Sequence, residues 1–165
     1  DAEKRLLDNP KELAEHNTIV DLIRNDLGMV SRDVCVTRFR YIERIETNFT
    51  PLLQASSEII GKLPAGYEGN IGDILYCILP AGSISGAPKE KTVEIIKESE
   101  IYHRGYYTGV AGYFDGRNLD SCVMIRFIEQ TGEGMVFKSG GGITASSDIC
   151  QEYNELINKV YVPFI

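Results

Sequence analysis

The chain has 165 residues, 43% of them hydrophobic and 25% charged, and this composition suits a single soluble globular domain with a core of its own. A formal net charge of −7 excludes a nucleic-acid surface built from clustered Lys and Arg. No apolar run reaches the roughly 18 residues that read as a membrane span, so no membrane partner is expected.

The amino terminus, Asp1-Ala2-Glu3-Lys4, has no signal-peptide core and no initiator Met, and we expect the chain to be a fragment of a longer protein. Asn9-Pro10-Lys11-Glu12 predicts a helix start, with Pro at an early position and acid in the first turn. The helix runs through Leu13, His16, Ile19, Val20, Ile23 and Leu27 at three- and four-residue spacing and is expected to stop near Gly28. The dense charges Asp21, Arg24 and Asp26 at its end read first as capping and ion-pair groups. Val34 to Ile42 predicts one strand and Leu52 to Ile60 a second, ending at Gly61.

Gly72 to Leu79 predicts a short helix leading into a loop, Pro80-Ala81-Gly82-Ser83-Ile84-Ser85-Gly86-Ala87-Pro88-Lys89. So many backbone-special residues imply a tight approach into the next helix, whose first N–H groups are placed to face an anion. That helix opens at Pro88 and carries Val93, Ile96 and Lys97. Tyr107 to Phe114 predicts a strand turned by Asp115–Asn118, and Ser121 to Glu129 is expected to answer it as one strand. A turn over Thr131–Gly134 leads to a third strand, Met135 to Ser139. A closing helix over about Asp148 to Val160 would carry Tyr153, Leu156, Ile157 and Val160 on its inner face. The fold class is α+β, an antiparallel sheet packed with helices.

The four cysteines, Cys35, Cys77, Cys122 and Cys150, form no C-x-x-C pair and stand apart from both histidines. This argues against zinc and for reduced, mostly buried thiols in the cytoplasm. Glu12 and Glu15 lie one turn apart on the first long helix, as Glu152 and Glu155 do on the last, so each helix can present two carboxylates on one face. Four gathered carboxylates would need a cation, and an oxygen-only donor set favours Mg²⁺. Two solvated acidic faces are the alternative.

Gly140-Gly141-Gly142 leaves backbone N–H groups open to a carboxylate or phosphate, although the spacing fits neither a Walker A loop nor a Rossmann turn. An N-cap for the last helix is expected among Thr144, Ser146, Ser147 and Asp148. Arg126 is expected mid-strand, either buried against an anion or facing outward. Lys159 shares a face with Glu155, as an ion-pair partner or as a cation for a ligand, and Tyr107 reads equally as packing.

The blocks Glu12–His16 with Ile19–Gly28, Gly82–Lys89, Arg104–Gly109, Gly140–Thr144 and Glu152–Glu155 resemble, in that order, the chorismate-utilising enzymes. These include the anthranilate, aminodeoxychorismate, isochorismate and salicylate synthases. The resemblance implies that the chain is the C-terminal part, residues 1–165, of the larger two-sheet chorismate-binding catalytic domain. It implies Mg²⁺ held by Glu15 and Glu155, with Glu12 and Glu152 nearby, through water. Tyr107, Arg126, Gly140, Gly141, Gly142 and Lys159 match positions that hold the carboxylates of chorismate.

Within the family, Ser83 in place of the more usual Thr, the run Val123–Glu129 and the tail Lys159–Pro163 are more similar to aminodeoxychorismate synthase component I than to anthranilate synthase. Such an enzyme takes ammonia from a glutamine amidotransferase partner and makes 4-amino-4-deoxychorismate for 4-aminobenzoate and folate synthesis. Anthranilate synthase and a non-catalytic binding module that keeps the fold are the alternatives. Gln54 stands where many relatives have His. The general acid and a Lys-Gly-Thr segment are expected upstream of Asp1, so the fragment alone is expected to be inactive.

Overall fold

Asn9 begins the longest helix of the chain: its side-chain Oδ1 accepts the backbone N–H of Lys11 at 2.9 Å and of Glu12 at 3.3 Å, and Pro10 occupies the first turn. These groups satisfy the N–H donors that a helix start leaves orphaned. The structure is a computed structural model that describes residues 2–46, 51–145 and 147–160. The chain divides into two compact units, Asp1–Ile101 and Tyr102–Ile165, described in turn.

In the first unit a short helix α1 (Ala2–Leu7) precedes α2 (Pro10–Val30). The helix passes the expected stop at Gly28 because Ser31 supplies the cap. Its N–H reaches Leu27 O at 2.9 Å and its Oγ donates to the same carbonyl at 2.6 Å. Strands β1 (Arg32–Ile45) and β2 (Leu52–Lys62) then pair antiparallel, with Ile45 opposite Leu52, Ile42 opposite Ala55 and Val36 opposite Ile59. The register shifts between Arg32 and Cys35, between Val36 and Arg38, and between Arg38 and Tyr41, near the positive φ of Asp33 and Arg40. Gly61 lies against the end of α2: a Cβ there would stand 2.2 Å from Ser31 Oγ.

A turn of 3₁₀ helix at Tyr67–Gly69 leads to α3 (Ile71–Ile78). The expected loop from Pro80 to Lys89 contains one further turn of helix, α4 (Gly82–Ser85), before α5 (Lys89–Ser99). Within it Gly86 takes φ +68, a conformation open to glycine, and Pro88 precedes α5 as its cap.

In the second unit β3 (Val110–Phe114) pairs antiparallel with β4 (Leu119–Val123), and β5 (Phe127–Thr131) with β6 (Gly134–Lys138). Asp115 ties the first turn by accepting the N–H groups of Arg117 and Asn118. The single strand expected over Ser121–Glu129 is two. The ladder runs through Met124, which exchanges bonds with Thr108 and Gly109, and then the Ile125 N–H folds back to Val123 O at 3.0 Å. That three-residue turn ends β4 and starts a second ribbon. Helix α6 (Ile149–Asn158) is capped by Asp148, whose Oδ1 accepts the Gln151 N–H at 2.9 Å. The described strands thus form three two-stranded ribbons, within the α+β class.

The expected core of its own is not built among the described residues, where Val20 is the one buried hydrophobic side chain. The inner face expected on α6 is open: Tyr153 is 62%, Ile157 52% and Val160 48% exposed. Two-stranded ribbons have too little inward surface to enclose apolar side chains by themselves. All four free cysteines, expected to be mostly buried, are exposed, Cys35 and Cys122 on ribbons and Cys77 and Cys150 on helices.

Candidate functional site

The second unit brings candidate ligand-binding residues together at the ends of its two ribbons. Tyr107 precedes β3, and its half-buried ring reaches the glycine bend after β6: a Cβ on Gly140 would lie 1.9 Å from the Tyr107 hydroxyl. Only glycine permits that approach. Gly141 and Gly142 follow, both exposed and with open space where a Cβ would stand.

Arg126 lies in the turn between β4 and β5 rather than mid-strand, and it is exposed. Because Phe127 pairs with Lys138, Arg126 leaves the second ribbon at the end from which Ser139 and Gly140 emerge. Among the described residues it makes no hydrogen bond or ion pair, so its charge is open to an anion from outside. Nearby on that ribbon, Lys138 is already neutralised by Glu129 at 3.1 Å. The Ser139 hydroxyl oxygen is buried without a hydrogen-bond partner among the described residues. A tyrosine hydroxyl, a bend of open glycines and an unneutralised guanidinium suit a carboxylate-bearing ligand.

Lys159 does pair with Glu155, one turn back on α6, and its side chain is 27% exposed. Glu152 sits half-buried in the first turn of α6, where the helix dipole favours a carboxylate. Glu12 and Glu15 are in the first two turns of α2, half-buried, and Glu15 lies 3.7 Å from Lys11. The two acidic pairs belong to different units, and among the described residues no three His, Cys, Asp or Glu side chains gather as a metal site. The donor chemistry of the four remains purely carboxylate, which fits Mg²⁺.

Two polar clusters join distant segments of the first unit; the ion-pair role expected for Asp26 is found, whereas its partners and the second cluster were not foreseen. Asp26, 6% exposed, accepts Lys89 Nζ at 2.7 Å on one oxygen and the Gly82 N–H at 3.1 Å on the other. Lys89 also donates to Ile78 O at 3.1 Å. Within the loop, the Gly82 N–H is thus turned to the protein's own Asp26. The available signal was an acid among the charges of an otherwise apolar helix end, together with a lysine closing a glycine-rich loop. In the second cluster His16 Nε2 meets Ser57 Oγ at 2.7 Å, the Arg40 N–H reaches the same oxygen at 3.0 Å, and Phe39 stands edge-on to the imidazole. Burial, and then the Arg40 charge, lower the His16 pKa from its ordinary value. No local pattern marks this cluster, because its members meet only when α2 packs on the hairpin.

Known proteins resemble the chain along nearly its whole length. The sequence pattern of chorismate binding enzymes matches residues 1–164. The chain is 61% identical over 163 residues to an uncharacterised PabA-like protein of Pasteurella multocida, covering 99% of this chain and 50% of that protein. It is 40% identical over 159 residues to aminodeoxychorismate synthase component 1 of Bacillus subtilis, covering 94% of this chain and 33% of that one. Anthranilate synthase components stand at a similar distance in sequence.

The crystal structure of anthranilate synthase component I from Streptococcus pneumoniae superposes with a TM-score of 0.80 at 35% identity, over 94% of this chain and 35% of that one. The chain thus spans about half the length of the first of these relatives and about a third of the others. With the match running from one end of the chain to the other and the backbone following the same path, the chain belongs to the chorismate binding enzyme family.

Proposed function

We propose that the chain carries the carboxylate-holding part of an aminodeoxychorismate synthase component I site. The observation that carries this reading is the Tyr107 hydroxyl seated on Gly140, with Arg126, unpaired among the described residues, leaving the same ribbon end. Chorismate has two carboxylates. The N–H groups of Gly140, Gly141 and Gly142, the Tyr107 hydroxyl, Arg126 and Lys159 offer both hydrogen bonds and charge to hold them. Lys159, paired with Glu155, would share its charge between ligand and carboxylate.

Glu15 and Glu155 would hold Mg²⁺, with Glu12 and Glu152 beside them through water. The bound ion would supply Lewis-acid stabilisation of charge on the ring carboxylate and the departing hydroxyl. The residues of this chain orient the ring and offset its charge, so that ammonia can replace the 4-hydroxyl and release water. Ammonia would come from glutamine through an amidotransferase subunit or domain, in the cytoplasm. The general acid and the Lys-Gly-Thr segment would lie upstream, and residues 1–165 alone would be inactive.

Ser83 and the run Val123–Glu129 favour this product; the tail Tyr161–Pro163, which points the same way, lies outside the described residues. The similar level of identity to anthranilate synthase components keeps anthranilate as the second reading. The test uses the full-length protein with Mg²⁺, chorismate and ammonia, and identifies the product by chromatography. We expect 4-amino-4-deoxychorismate, and no turnover from E155A. Anthranilate would establish the second reading, turnover by E155A would remove the metal assignment, and absence of chorismate binding would favour a non-catalytic module.

A further inference from the structure

Tyr107 sits in an unusual piece of backbone. Gly105 takes φ +60, and Thr108 takes φ +67, in the left-handed region that a β-branched residue rarely enters. Strain of this kind persists only where neighbouring interactions over-determine it. Three do so at Thr108. Its N–H donates to Met124 O at 2.9 Å, its Oγ1 donates to Tyr107 O at 2.6 Å, and the same Oγ1 accepts Arg104 Nη1 at 3.0 Å. The hydroxyl therefore uses one donor and one acceptor, both toward the segment that carries the tyrosine. The Arg104 guanidinium carbon also stands 5.6 Å from the centre of the Tyr107 ring, within range of a cation–π contact. At its far end the ring is stopped by Gly140, with no room for a Cβ.

We infer that Arg104 and Thr108 are positioning residues that aim the Tyr107 hydroxyl at the glycine bend and thereby set how tightly a ligand carboxylate is held there. Neither residue was among the candidate ligand contacts. Arg104 acts through the Thr108 hydroxyl and the tyrosine ring, and Thr108 acts through the backbone it holds left-handed. The inference rests on the reading of Tyr107 as a chorismate contact, and its test separates the two.

In the full-length enzyme, T108V keeps the branched shape and removes the hydroxyl, whereas T108S keeps the hydroxyl. Because a misaimed tyrosine weakens the hold on bound substrate and transition state alike, we expect T108V to raise KM for chorismate by about tenfold, the scale of one hydrogen bond to a charged group, with kcat little changed. T108S should restore the wild-type KM. In a Y107F background T108V should add little, because the hydroxyl it aims is gone. An equal rise in KM with and without that hydroxyl would overturn the inference, as would a wild-type KM in T108V. A wild-type KM in Y107F itself would overturn the reading of Tyr107. Should T108V fail to fold by circular dichroism, R104M reads the same coupling against Y107F, with the same two outcomes.

Discussion

Gly82 and Gly140 use one device for opposite ends. At each, a missing Cβ lets a polar side chain close on the backbone: Asp26 Oδ2 would lie 3.0 Å from a Cβ on Gly82, and the Tyr107 hydroxyl 1.9 Å from one on Gly140. Around Gly82 the charges are settled within the chain, because Lys89 faces Asp26 and both are largely removed from water. Around Gly140 the account stays open: Gly141 and Gly142 are exposed, and Arg126 has no partner among the described residues. A closed polar cluster holds helices in place. An open one has binding capacity left for a ligand.

The largest expected effect lies on the closed side. D26A strands the Lys89 ammonium and the Gly82 N–H, and we expect a loss of about 3 kcal/mol in the unfolding free energy of the full-length protein, measured by denaturant titration. A loss below about 0.5 kcal/mol, the ordinary size for a surface change, would mean that the cluster is not closed.

Second in size is G140A, which drives a methyl group into the tyrosine. Overpacking of this kind costs about 1–3 kcal/mol. Since the clash is chiefly with the hydroxyl, and the ring carbon behind it would stand 3.1 Å away, Y107F/G140A should recover most of the stability lost. A strictly additive double mutant would show that the two do not meet in solution.

The smallest change in stability should come from R126A, within about 0.5 kcal/mol, as for other exposed side chains. Its KM for chorismate should nonetheless rise well beyond tenfold, since a charged contact to a carboxylate is lost. A large stability loss with an unchanged KM would move Arg126 to the closed class and remove it from the proposed site.

Much of the local structure was legible in the residues. Asn9-Pro10 and Asp148 marked helix starts because caps act over three residues of chain. The strands β1 and β2 were foreseen from two β-rich runs, but their pairing was not. The expected strand over Ser121–Glu129 divided although its apolar run continues through Ile125, because the ladder hydrogen bonds do not. Periodicity records which face a residue prefers and carries no information on whether the ladder continues.

The sequence by itself determined the element types, the acidic pairs one turn apart and the glycine bend, since each is set by neighbours within a few positions. It also carried the ordered motifs by which the family was recognised. Tertiary structure alone decided that Lys89 would spend its charge on Asp26, 63 residues away, while Arg126 has no partner among the described residues. It likewise set Tyr107 onto Gly140. Those outcomes depend on which segments the backbone brings within hydrogen-bond reach, and a charge is neutralised only by the group that packing places beside it.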